Sequence, residues 1–137
     1  MIIDAKDLIA GRLGSYAAKQ ALLGEKVDIV NAELAVISGS KKVVYGKYKA
    51  QDERGEPFHG PFLPKLPDRF LRRIIRGMLP YKKGKGREAY KRVKCYVGVP
   101  PEFEGKTHET VKGANVVKMQ NLKYITVKTV CNLLKQR

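Results

Sequence analysis

The first forty residues alternate between short apolar runs and one amphipathic segment, and this alternation constrains the fold more than any other feature. Residues 1–4 and 27–31 are apolar runs typical of buried strands. Between them, residues 10–23 place Leu13, Ala17 and Ala21 on one helical face before Gly24 ends the segment. A strand, a helix and a strand with short connections predict a right-handed βαβ unit in a parallel sheet that is covered on both sides.

Two more apolar runs extend this pattern. Residues 35–38 and 94–99 predict further strands, and Gly39 and Pro100 end them. The sequence therefore predicts an α/β fold with a small, mostly parallel sheet of about four strands.

Two helices are predicted outside the basic part of the chain. One follows Ser40, with Val43, Val44 and Tyr48 facing inward. The other follows Thr126, which can cap it, and it buries Val127, Val130, Cys131 and Leu134.

Charge is the most unusual property of the composition. The 137 residues include 28 Lys and Arg against 13 Asp and Glu, which gives a net charge of +15. Residues 1–40 carry four positive and five negative groups, whereas residues 41–100 carry seventeen positive and five negative groups. This asymmetry predicts a scaffold at the N-terminus and a surface in the middle of the chain that binds a polyanion.

The basic stretch of residues 64–97 opens with an amphipathic helix. Asp68 can cap it after Pro67, and apolar residues from Phe70 to Leu79 recur on one side. Pro80 ends it. The opposite side carries an arginine row, Arg69, Arg72, Arg73 and Arg76. An ordinary solvated helix face would mix charge signs, so we expect this row to bind phosphate, which the planar guanidinium can hold with two hydrogen bonds.

A basic turn follows, and its glycines at positions 84 and 86 allow the backbone to approach a sugar-phosphate chain. Tyr81 is the tyrosine that we expect to stack on an RNA base. A second helix over residues 88–94 extends the basic surface. The candidate phosphate-binding residues of this part are Lys82, Lys83, Lys85, Arg87, Lys91 and Arg92. The alternative interpretation, a flexible basic loop without a bound partner, stays open for the free protein.

A long connection without apolar periodicity, residues 51–67, precedes the basic helix and contains several prolines and glycines. A connection of this length in a compact domain usually has a function. The chain is long enough for one domain, residues 1–137, into which residues 51–94 insert a basic RNA-binding loop and helices.

The glycines and serines near the N-terminus match neither GxGxxG nor GxxxxGK[ST], so a nucleotide-binding loop is not supported. Gly11 and Gly14 are expected to permit close helix packing, and Ser38 or Ser40 to cap a helix. Because a helix start can hold one phosphate, Ser40, Lys41 and Lys42 are secondary RNA-binding candidates.

No pattern indicates catalysis, a metal, a cofactor, a small-molecule substrate or a membrane span. His59 and His108 are expected at the surface, and Cys95 and Cys131 as buried free thiols. Asp52, Glu53 and Glu56 are expected to form a solvated charge run. The sequence predicts a cytosolic protein that is not an enzyme.

Several separated motifs resemble the universal large-subunit ribosomal protein thirteen family. The strongest are residues 76–82 (RGMLPYK), 86–89 (GREA) and 94–100 (KCYVGVP). The opening agrees at residues 3–5, 11–13, 30–32 and 37–39. The sequence at residues 81–83 and 86–89 resembles the archaeal and eukaryotic branch of the family. Residues 58–63 differ from the usual sequence of that branch, and residues 101–137 resemble the family only loosely.

The resemblance implies a three-layer αβα fold, binding to large-subunit ribosomal RNA, early entry into subunit assembly and no catalytic role. It implies that the protein is a structural constituent of the cytoplasmic large ribosomal subunit, beside neighbouring ribosomal proteins. The alternatives are a free regulatory RNA-binding module outside the ribosome and an RNA-acting enzyme on the same scaffold. The missing acid-base constellation disfavours the enzyme.

Overall fold

The N-terminal βαβ unit is confirmed in the computed structural model, which describes residues 1–136. It consists of β1 (Ile2–Asp4), α1 (Ala10–Leu22) and β2 (Val27–Val30). The two strands are parallel, with Ile3 opposite Ile29, and both of these side chains are fully buried. Burial of both side chains explains why each strand reads as an apolar run.

The other edge of β2 is taken by β4 (Val93–Cys95), which is also parallel and places Cys95 opposite Ile29. The Tyr96 amide extends this pairing by donating to the Ile29 carbonyl at 2.8 Å. β4 is shorter than the predicted strand of residues 94–99 because Gly98 turns the chain with a φ of +67°. With both edges of β2 paired, the sheet order is β1-β2-β4.

β3 (Val36–Ser38) lies outside this sheet and pairs antiparallel with β5 (Tyr124–Thr126). Within residues 1–136 the strands therefore form a parallel sheet of three and a separate antiparallel pair. The chain is redirected after β2 by Asn31, whose φ is 54°, and by a short 3-10 turn at Ala32–Leu34. The α/β class is confirmed.

The remaining helices are α2 (Lys41–Asp52), α3 (Pro67–Gly77), α4 (Gly84–Arg92) and α5 (Val127–Lys135). α3 packs against α1, α5 and β4, with Phe70, Leu71 and Ile75 buried. Its amphipathic pattern therefore fixes the central helix of the core. Pro67 is its first residue, and Asp68 lies in the first turn, so the N-cap is Leu66 and the predicted Asp68 cap is wrong. Asp68 still stabilises α3, because its negative charge lies near the positive end of the helix dipole.

Three details of the other helices differ from the sequence prediction. In α2, Val44 is buried and Tyr48 packs edge-on against Phe70 at 4.8 Å between ring centroids, but Val43 is 69% exposed and does not face inward. α2 also extends to Asp52, into the predicted connection. α4 begins at Gly84, four residues before the predicted start, because the chain turns sharply after Pro80.

The last helix follows the prediction. The Thr126 hydroxyl accepts a hydrogen bond from the Thr129 amide at 3.3 Å, which is the expected cap. Val127, Val130, Cys131 and Leu134 are fully buried.

Close packing of α1 on α3 depends on Gly14. A Cβ at this position would lie 3.1 Å from Met78 Sδ and 3.5 Å from Ile75 Cγ1, so a larger residue would fit only if the Met78 side chain moved by a few tenths of an ångström. Gly11 has a different environment: it is exposed, and a Cβ there would meet nothing within 4 Å in the described part of the chain. The packing explanation is right for Gly14 and wrong for Gly11.

Candidate nucleic-acid interface

The arginine row of α3 divides into side chains with different tasks. Arg69 is exposed, whereas Arg72, Arg73 and Arg76 are half-buried. The helix turns its apolar side into the core, so the row lies along the boundary between α3 and the chain that follows. The row is therefore not one uniform solvent face.

Arg72 is directed inward. Its Nε donates to the Val93 carbonyl at 3.0 Å and its Nη2 to the Tyr90 carbonyl at 3.3 Å. Its guanidinium also lies 4.3 Å from the centre of the Tyr90 ring. These contacts tie α3 to the end of α4 and the start of β4. The sequence predicts that Arg72 binds phosphate, and in the structure this side chain already joins elements of the fold.

Arg73 and Arg76 are half-buried like Arg72 but have different partners. Arg73 Nη1 donates to the Phe62 carbonyl at 2.7 Å, which fixes the connection before α3. The Arg76 guanidinium lies 5.0 Å from the centre of the Tyr81 ring, and Tyr81 is 39% exposed. Arg76 and Tyr81 thus present a cation and an aromatic side chain together, a combination suited to an RNA base and its phosphate.

The turn after Pro80 holds the densest group of exposed cations that sequence reasoning singled out: Lys82, Lys83, Lys85 and Arg87. Lys83 is the N-cap residue of α4, so the first amides of this helix open toward the turn. Lysine side chains and helix amides together favour an anion at this position. Arg76, Tyr81 and these four residues all lie within residues 76–87, which include the end of α3, the turn and the start of α4.

The two glycines of this turn have different environments. Gly84 is exposed, and a Cβ there would meet nothing within 4 Å among residues 1–136. Gly86 is buried, and a Cβ there would overlap the Pro80 carbonyl group and the Tyr81 amide nitrogen. Gly86 is therefore needed for an approach within the chain itself. The expectation that it opens the backbone to RNA is wrong.

Lys91 and Arg92 lie on another part of the surface. Arg92 donates to the Ala21 carbonyl at 3.3 Å and lies 3.8 Å from Glu88. Both residues line a cleft of about 330 Å³ between α4 and the parallel sheet, together with Lys26, Asp28, Lys94 and Tyr96. Sequence reasoning missed Lys26, because only the pairing of Asp28 with Lys94 brings it to α4.

Ser40, Lys41 and Lys42 stand at the start of α2. Ser40 is the N-cap residue, and its side chain makes no capping hydrogen bond within the described residues, while Ser38 is part of β3. The Gly39 amide donates to the Lys123 carbonyl at 2.8 Å, and Ser38 is opposite Tyr124. Lys123 and Tyr124, both exposed, therefore join this group. No local sequence signal indicates this neighbourhood, since it depends on the pairing of β3 with β5.

The two histidines, which were considered as metal ligands or catalytic residues, contact other parts of the fold. His59 is exposed and lies 3.0 Å from Glu56, whereas His108 is half-buried beside the Phe103 carbonyl. Among residues 1–136, no group of three or more His, Cys, Asp or Glu is arranged to hold a metal ion. In the same residues, each helix is too short or too polar to cross a bilayer.

The cysteines are poor nucleophiles. Neither forms a disulfide within residues 1–136; Cys131 is buried as expected, and Cys95 is half-buried. Burial raises the pKa of the Cys95 thiol to about 12 and that of the Cys131 thiol to about 11. Both thiols are therefore protonated at neutral pH.

The carboxylates before α3 are paired rather than simply solvated. Asp52 lies 3.3 Å from Lys65, and its side chain is only 13% exposed. Glu53 lies 4.0 Å from Lys49, and Glu56 contacts His59. The predicted solvated charge run is therefore wrong for Asp52.

Comparison with known proteins agrees with the motifs. The profile of a family described as Ribosomal protein L13 matches residues 1–102. The large ribosomal subunit protein uL13 of Methanococcoides burtonii is 46% identical over 133 residues, which cover 97% of this chain and 96% of the relative. The uL13 proteins of Methanosarcina barkeri and Haloarcula marismortui are 50% and 42% identical, over 90% and 98% of this chain and 89% and 90% of their own lengths.

These alignments extend into the C-terminal third, where the motifs matched only loosely. The alignments cover 89% or more of each of the three relatives. The matching profile covers the βαβ unit, α3 and the basic turn. The chain therefore belongs to the ribosomal protein L13 family, in its archaeal branch.

Proposed function

We propose that this protein is a structural constituent of the large ribosomal subunit, in the cytoplasm, and that it binds folded ribosomal RNA. The names of its archaeal relatives, large ribosomal subunit protein uL13, support the assembly to which it belongs. A ribosomal protein family is not an enzyme class, which supports a role in binding. It contributes early in subunit assembly by holding RNA segments in one arrangement, beside neighbouring ribosomal proteins.

The observation that carries this proposal is the segment in which the half-buried Arg76 lies beside five exposed residues: Tyr81, Lys82, Lys83, Lys85 and Arg87. Four of these cations are exposed in one turn at the start of α4, next to an aromatic ring that a guanidinium already covers on one side. Phosphates neutralised there would release condensed counterions, which is the main source of affinity for nucleic acid. The Arg69 side chain, Lys91, Arg92 and the group at Ser40, Lys41 and Lys42 add secondary contacts.

Salt dependence tests the binding mode. With about 6 to 10 phosphates contacted, affinity for naked ribosomal RNA falls by roughly 10³ to 10⁵ between 50 and 200 mM salt. Filter binding with a large-subunit RNA fragment measures this change. A flat response would contradict binding through phosphate contacts.

Sedimentation tests the assembly. We expect the protein in the large-subunit fractions of a sucrose gradient of cell lysate at physiological salt. The second candidate, a free regulatory RNA-binding module, has the same basic surface but would stay near the top of the gradient, and that result would overturn the ribosomal assignment.

A further inference from the structure

The connection between α2 and α3, residues 53–66, exposes two large aromatic side chains. Phe58 is 90% exposed and Phe62 is 68% exposed, whereas Leu63, one position further on, is buried. Single exposed apolar residues are common, but these two phenylalanines lie four positions apart on one short loop, and each exposes most of its apolar surface to water. The hydrophobic core of the described residues includes Leu63 and Phe70 but neither Phe58 nor Phe62.

The loop is held in a defined shape. The Gly60 amide donates to the Glu56 carbonyl at 2.9 Å, which closes a five-residue turn around Phe58. Gly55, with a φ of +81°, packs directly against Gly60. The bond from Arg73 Nη1 to the Phe62 carbonyl anchors the loop on α3. Phe58 is therefore presented at the tip of an ordered turn, so little conformational entropy remains to be lost when a partner binds it.

The charge of the tip differs from that of the rest of the middle segment. Residues 53–62 carry Glu53, Arg54 and Glu56, a net charge of −1, and His59 contacts the Glu56 carboxylate at 3.0 Å. Residues 65–94 carry twelve cations and two carboxylates. Surfaces that stack aromatic side chains on RNA bases also carry cations along the path of the phosphates. The tip has its aromatic side chains next to a carboxylate, which repels phosphate and suits a basic or neutral protein surface.

We propose that residues 53–62 are a protein-docking element: Phe58 and Phe62 enter an apolar pocket of a neighbouring large-subunit protein whose rim is basic and pairs with Glu56. Partner and RNA would then bind different parts of the same segment, the loop before α3 and the turn after it. This inference rests on the proposed function, because the partner is taken to be a component of the large subunit.

Site-specific photocrosslinking tests the partner's chemistry. Phe58 is replaced by p-benzoyl-phenylalanine in the full-length protein, large subunits are isolated from archaeal cells that express it, and the subunits are irradiated. We expect an adduct with a ribosomal protein that survives ribonuclease. The same amino acid at Tyr81 is the matched control, and its adduct should be lost on ribonuclease treatment. An RNA adduct at Phe58, or no adduct in assembled subunits, would overturn the docking proposal.

A pair of double variants tests the energetic role. F58A/F62A should bind naked ribosomal RNA within about twofold of the wild type, yet its retention in subunits after a high-salt wash should fall roughly tenfold or more. V117A/L122A removes two comparably exposed apolar residues, 80% and 72% exposed, and should be retained like the wild type. Equal retention of the two variants, or weaker RNA binding by F58A/F62A, would count against docking. If the wild type itself is missing from subunits, the proposed function fails first.

Discussion

At the scale of single residues, Arg72 shows that a charged side chain in a basic row can serve the fold. It lies in a row of four arginines, but its guanidinium bonds two backbone carbonyls and covers the Tyr90 ring. The Tyr90 carbonyl also accepts a hydrogen bond from the Val93 amide, so Arg72 is a second donor there and a donor to the Val93 carbonyl. Hydrogen bonds from a charged group to these carbonyls stabilise the junction of α4 and β4.

We therefore expect R72A to destabilise the protein by about 1.5–3 kcal/mol, the usual range for hydrogen bonds made by a charged group. Urea denaturation of the isolated protein measures this loss. R69A is the matched control, because Arg69 is exposed on the same helix, and it should change the free energy of unfolding by less than about 0.5 kcal/mol. Similar stabilities for the two variants would show that the Arg72 contacts are not needed.

A second residue pair tests the turn. G86A should destabilise the protein by about 1–3 kcal/mol, because the added methyl group overlaps the Pro80 carbonyl and forces the start of α4 to shift. G84A, two positions away at an exposed site, should be neutral or slightly stabilising, since alanine favours a helix. Thermal unfolding of both variants decides this. A G86A protein as stable as G84A would contradict the close approach.

At the scale of elements, the turn and the start of α4 work together. α3 ends at Gly77, three residues before Pro80, and Lys83 occupies the N-cap position of α4. The intervening chain carries lysines that no carboxylate within this turn neutralises. A short loop held between two packed helices keeps its cations close together in the free protein. Such preorganisation lowers the entropic cost of binding RNA.

The variant K82Q/K83Q/K85Q should therefore lower the slope of log affinity against log salt by about 2–3, which is roughly 0.7–0.9 for each lost phosphate contact. Its fold should be unchanged, because all three side chains are exposed. The control K106Q/K112Q/K118Q removes the same charge from exposed positions in the C-terminal third and should alter the slope less. An equal change in both variants would mean that net charge, and not this turn, sets the affinity.

At the scale of the whole molecule, a net charge of +15 acts in opposite directions on folding and on binding. Cations concentrated between residues 41 and 100 repel one another in the free, folded protein. The same cations attract RNA. Salt screens both effects, so it should stabilise the free protein while it weakens the complex.

We expect the melting temperature of the free protein to rise by roughly 2–5 °C between 20 and 300 mM sodium chloride, which corresponds to about 1 kcal/mol of relieved repulsion. Calorimetry of the isolated protein measures this shift, and RNA affinity measured in the same buffers should fall. A melting temperature that drops with salt would show that attractive ion pairs outweigh the repulsion.

Local patterns in the sequence were sufficient for several elements of the fold, but not for β5 or for the start of α4. The βαβ unit, the apolar side of α3 and the Thr126 cap of α5 each depend on residues within a few positions of one another, and the structure contains all three. Charge density likewise marks the basic turn, because it is a property of neighbouring residues. The sequence by itself thus determined the class of fold and the place of the cationic surface.

Only the tertiary structure decided which side chains serve the fold and which face outward. The sequence predicts that Arg72 and Gly86 contact RNA, whereas in the structure Arg72 bonds the Val93 carbonyl and Gly86 packs against Pro80. Lys26 and Tyr124 join candidate surfaces only through strand pairing between distant segments. These roles depend on contacts between residues far apart in the chain, and such contacts leave no periodic signal in the sequence.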